Sequence, residues 1–82
     1  MSDIALSDKA RNMKLGIYEH YKKLKYQVLG VVLHSETTEE MVIYKQLYGK
    51  GLTWVRPFDM FFEEVNIDGV KQPRFKFIAE AK

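Results

Sequence analysis

The chain has 82 residues, 46% of them hydrophobic and 13% aromatic, so it is long enough for one folded domain and too apolar for a disordered segment. It has no cysteine, which excludes disulfides and thiolate metal sites and agrees with a cytoplasmic protein. A net charge of +2, from 13 basic and 11 acidic residues, does not by itself announce a nucleic-acid partner. No apolar run approaches the ~20 residues of a membrane span, so no membrane association is expected.

Residues 1–15 read as an N-terminal extension. MSDIALSDKA lacks the basic start and apolar run of a signal peptide. The extension is either loosely attached or a single helical turn docked through Ile4, Leu6 and Met13. Ser7 is suited to cap that turn, with Asp8 favourable beside its N-terminus. Residues 16–82 read as a single domain of strands. GIYEHY, 16–21, is rich in β-branched and aromatic types. KKLK follows as a turn, and its lysines, Lys22, Lys23 and Lys25, form either a solvated loop or a phosphate-facing patch.

Residues 26–34, YQVLGVVLH, are apolar on both alternating sets. That predicts a strand buried on both faces, or a central barrel strand that bends at Gly30. Ser35–Glu40 is a polar loop, and Met41–Tyr48 returns as an antiparallel strand. Gly49–Gly51 is a glycine turn, and Leu52–Arg56 is the next strand. Pro57 ends it and opens a short helical or 3₁₀ turn near Pro57–Phe61, with Met60 and Phe61 expected to fall inward as a plug. Glu64–Ile67 is extended, and Asp68-Gly69 signals a turn. Pro73–Ile78 alternates again, with Phe75 and Phe77 on one face and Arg74 and Lys76 on the other. It is expected to be an edge strand.

Five to six short strands at spacings near ten residues, with tight turns and one helical turn, predict an all-β fold: a small antiparallel barrel, SH3-like first and OB-like second.

The spaced residues Gly16, Tyr18, His20, Tyr21 and Lys22, then Tyr26 and Val28, open a longer pattern. HSET at 34–37, Tyr44, LYG at 47–49 and WVRP at 54–57 continue it. Met60, Phe61, Glu63, Val65 and PRF at 73–75 close it. In these positions the chain resembles a bacterial family catalogued as domain of unknown function 1653. The resemblance implies an SH3-like barrel and no established activity. That family usually carries glycine after HYK, where Lys23 stands here.

His34-Ser35-Glu36 invites a triad reading. Three consecutive residues at a strand end cannot converge on one reacting atom, because neighbours point to opposite faces. His20, His34 and Glu36 would make three metal ligands only if the fold brought the histidines together, and no helical i, i+4 pair supports that. No catalytic residue, metal or cofactor is assigned.

Trp54 and Arg56 alternate on one strand and so project together. An indole offers a stacking surface, and a guanidinium takes a carboxylate or phosphate in bidentate fashion. Tyr18, Tyr44 and Tyr48 can extend such a wall. In the alternative, Trp54 is core and Arg56 pairs with Glu36, Glu63 or Glu64. The favoured function is a non-catalytic binding module with a ligand set of Trp54, Arg56, Tyr44, Tyr48, His20, His34 and Glu36. Its ligand would be anionic or planar: a nucleotide, nucleic acid or peptide. The rivals are a small hydrolase using His20 or His34 with Glu36, and a protein-interaction or assembly domain. A monomer or weak dimer is expected.

Overall fold

The structure, a computed structural model, describes residues 5–81. Over these residues it is mainly β, with two helical turns of four residues each: α1 (Asp8–Arg11) and α2 (Phe58–Phe61). The strands are β1 (Gly16–His20), β2 (Lys25–Leu33), β3 (Glu40–Gln46), β4 (Thr53–Pro57), β5 (Glu64–Ile67), β6 (Val70–Pro73) and β7 (Phe75–Ala79). Five of them form one antiparallel sheet in the order β4-β3-β2-β1-β7, and β5 pairs with β6 in a separate ladder.

β6 goes beyond the five to six strands expected. Val70–Pro73 has one β-branched residue and ends in proline, so nothing in its composition marks a strand. It pairs because Asp68 and Gly69 both take positive φ, 52° and 82°, the conformation of a two-residue hairpin turn. Arg74 then ties this hairpin to the sheet. Its N–H donates to the Glu63 carbonyl at 2.9 Å, and its carbonyl accepts from the Tyr21 N–H at 3.0 Å.

β2 is not buried on both faces. Val28 lies opposite Tyr44 and Gly30 opposite Ile43, which leaves Leu29 as an extra, bulged residue. The bulge shifts the alternation by one. Val28 and Val31 therefore both face the core, while Leu29 and Val32 are exposed on the outer face. The bend expected at Gly30 falls at this bulge.

The core is Tyr18, Val28, Val42, Tyr44, Phe61 and Phe75. Phe61 stacks on Phe75 with centroids 4.2 Å apart and planes 5° from parallel. Tyr18 and Tyr44 meet Phe61 edge-on at 5.4 and 5.5 Å. Each such pair adds about 0.5–1.5 kcal/mol beyond the area it buries. Phe61 is the expected plug, at 0% exposure, but Met60 is 45% exposed. A single turn presents positions i and i+3 inward, so Phe58 accompanies Phe61 against the core and Met60 points away.

The N-terminal segment is one helical turn. The Ser7 hydroxyl accepts from the Ala10 N–H at 3.2 Å, and Asp8 lies in the first turn. Ser7 is itself held to β3: its N–H and hydroxyl donate to the Glu40 carboxylate at 2.5 and 2.9 Å. Ala10 is the buried anchor and Met13 packs against the core, whereas Ile4 lies outside the described residues. No helix among the described residues is long and apolar enough to cross a membrane.

Candidate functional site

Trp54 and Arg56 share the core-facing side of β4, opposite Tyr44 and Val42 on β3. β4 is the sheet's edge, so this side is only partly covered there, and Trp54 is 49% exposed. The sheet curls until its two edge strands approach across the core. The Arg56 guanidinium lies 5.9 Å from the ring centroid of Phe75 on β7.

Between these elements is an open hollow of about 220 Å³, lined by Tyr26, Tyr44, Trp54 and Arg56. Each wall is fixed by a polar contact. The indole N–H of Trp54 donates to Gln46 Oε1 at 2.5 Å. Arg56 Nε–H donates to the Tyr44 hydroxyl at 3.3 Å. The Tyr26 and Tyr48 hydroxyls bond at 2.5 Å, and Tyr26 meets Tyr44 edge-on at 5.3 Å. The Tyr26 phenol is pushed well above its ordinary value by burial, then by the Tyr48 bond, and so stays protonated at any physiological pH.

Arg56 makes no ion pair among the described residues. The ion pairs there are Arg11–Asp8 and Arg74–Glu63, so Arg56 does not take Glu36, Glu63 or Glu64. With Nε engaged, its two terminal amino groups keep their fork of donors for a ligand.

His20 belongs to the same end of the sheet. Its ring lies 4.9 Å from Phe75, 6.5 Å from Tyr26 and 4.3 Å from Tyr21. Its Nδ1 accepts from the Lys22 N–H at 3.2 Å. Burial, and then Arg74, Lys22 and Arg56, hold its pKa below the usual histidine value, which keeps the imidazole neutral at pH 7.

His34 and Glu36 are elsewhere. His34 follows the far end of β2, and its Nδ1 accepts from the Glu36 and Thr37 N–H groups at 3.1 and 3.3 Å, shaping the Ser35–Glu39 loop. His20 adjoins the near end, where its N–H donates to the Leu24 carbonyl at 2.7 Å. The full length of β2 separates the two imidazoles. Among the described residues no three His, Asp or Glu side chains approach closely enough to hold a metal.

The structure thus gathers Trp54, Arg56 and Tyr44 around one hollow, with Tyr48 and His20 beside its Tyr26 wall, and leaves His34 and Glu36 beyond the far end of β2. It adds Tyr26, which lines the hollow from two strands away, and Phe75, which lies beneath Arg56. A wider hollow of about 320 Å³ lies at Lys9, Phe58, Asp59 and Phe62. Its two charges are of opposite sign.

A family model described as "Protein of unknown function (DUF1653)" matches residues 16–77. A crystal structure of a DUF1653 protein from Bordetella bronchiseptica is similar, with a TM-score of 0.80 and 32% sequence identity. The match covers 89% of this chain and 96% of that chain. No curated protein matches the sequence.

Proposed function

From the premise that the chain belongs to the DUF1653 family, whose description names no activity, we propose that it is a non-catalytic binding module for a planar, anionic ligand of the nucleotide class. The observation that carries this reading is the pairing, across one hollow, of an exposed indole with a guanidinium that makes no ion pair among the described residues. The base stacks on Trp54 and the edge of Tyr26. The phosphate takes the open fork of Arg56. A site of about 220 Å³ is smaller than the ~300–1,000 Å³ of a pocket that encloses a whole small molecule, and it suits one ring and one anion.

The separation of His20 from His34, with each Nδ1 committed to a backbone N–H, gives the hydrolase reading no base–acid pair to work with. An SH3-like barrel and a cytoplasmic location go with this proposal. The curl of the sheet supports the first and the absence of cysteine the second.

The test is direct, because Trp54 is the chain's single tryptophan. Millimolar nucleoside monophosphates should quench its emission and shift amide resonances at Tyr26, Tyr44 and Arg56. Titrations that leave all of these unmoved would remove the proposal.

A further inference from the structure

The net charge of +2 conceals a segregation that only the fold creates. Residues 19–26 and 74–76 meet at one end of the sheet, and the Arg56 side chain reaches towards them from β4, to within 5.9 Å of the Phe75 ring centroid. This region holds Lys22, Lys23, Lys25, Arg56, Arg74 and Lys76 against two acids, Glu19 and the Glu63 that Arg74 draws in. Of these cations only Arg74 is ion-paired among the described residues. The opposite end of β2 carries Glu36, Glu39 and Glu40 in and beside its loop, while the helical turn that docks there pairs its one acid, Asp8, with Arg11.

The basic end also has a second hollow, of about 180 Å³, where Lys23 and Lys76 outnumber one carboxylate, Glu19, and His20, Tyr21 and Gln72 complete the polar lining. His20 links the two. It lines this hollow, and its ring lies 6.5 Å from Tyr26, which lines the first. A ring-binding surface and a cationic pocket therefore sit side by side, separated by one imidazole.

We infer that the ligand is single-stranded nucleic acid, with a base held between Trp54 and Tyr26 and a neighbouring backbone phosphate held in the second hollow by Lys23 and Lys76. This rests on the function proposed above and extends it from a nucleotide to a strand. A single strand alternates unstacked rings with regularly spaced charges, as the two hollows do. A duplex has its bases stacked away and offers nothing to an indole. An acidic peptide supplies the charge but no flat ring.

The experiment uses the full chain with a fluorescein-labelled short oligo-dT and oligo-U, followed by anisotropy between about 50 and 200 mM salt. Thymidine monophosphate and oligo-glutamate are compared by Trp54 emission. The oligomers should bind on the order of tenfold tighter than the monophosphate, with log K falling against log salt at about −0.7 per phosphate engaged. Lys23→Gln with Lys76→Gln removes the two exposed cations that line the second hollow and no core contact. That variant should weaken the oligomer roughly three- to tenfold and flatten the salt slope by about 0.7 per lost contact. Its affinity for the monophosphate should be unchanged.

Oligomers that bind no better than the monophosphate, while Trp54 still responds to both, overturn the strand and leave the nucleotide site standing. Oligo-glutamate binding as tightly as oligo-dT overturns it in favour of a general polyanion surface. Trp54 silent towards every nucleotide brings down both readings.

Discussion

Lys23 occupies a backbone conformation that lysine tolerates poorly. Its φ is +72°, in the left-handed region, where Cβ crowds the following carbonyl. The turn holds it there, since its N–H donates to the His20 carbonyl at 2.7 Å and His20 N–H donates to Leu24 at 2.7 Å. The related pattern usually has glycine after HYK, and φ explains why. Replacing Lys23 with glycine relieves roughly 1–2 kcal/mol of strain in the folded state. It also adds about 0.5–1 kcal/mol of chain entropy to the unfolded state. The balance is a gain of about 0.5–1 kcal/mol, which for a domain of this size raises Tm by roughly 2–8 °C. Lys23→Ala keeps the strain and should gain nothing. Thermal and urea unfolding followed by Trp54 emission and far-ultraviolet circular dichroism compare the three proteins. A Lys23→Gly variant no more stable than Lys23→Ala would refute the argument.

Gly16 is the opposite case. A Cβ there would lie 2.4 Å from the Ala79 carbonyl oxygen, so Gly16→Ala should part β1 from β7 and lower the urea midpoint by an amount equivalent to about 1–3 kcal/mol. Phe61→Ala, at a position with no exposure, should cost about 3–5 kcal/mol, a large fraction of total stability, read by urea unfolding. Trp54→Ala should change stability by no more than about 1 kcal/mol while abolishing the nucleotide-induced amide shifts at Arg56 and Tyr26. His20 titrates below its unfolded value of 6.5, so the unfolded chain takes up the proton first. Stability should be full above pH 6.5, fall as pH drops below it and level off under the folded pKa, and His20→Gln should flatten that part of the profile.

The strands themselves were legible where local signals were strong. Alternation in Phe75–Phe77, the glycines after Tyr48 and the proline after Arg56 each mark an element or its end. β6 was not legible, because its pairing comes from the turn before it and not from its own side chains. The face of each β2 residue was hidden for a related reason. Hydropathy reads the same whether Leu29 is in phase or bulged, and only the ladder to β3 decides. The joint projection of Trp54 and Arg56 follows from a period of two within one strand. Tyr26 enters their hollow through two inter-strand registers, which turn geometry sets and composition does not. His34 adjoins the Ser35–Glu39 loop and its imidazole reports that loop's own hydrogen bonds, to which Glu36 contributes its backbone N–H.

The surplus residue in β2 separates two properties that usually travel together. Deleting Leu29 would leave Val28 facing Tyr44 and Gly30 facing Ile43, an unbroken ladder with every partner retained. What the shortened strand would lose is the local coiling that a two-against-one mismatch imposes. The molecule could then keep its pairings yet open like an unrolled leaf, carrying Arg56 away from Phe75. Concavity here is written as one amino acid too many.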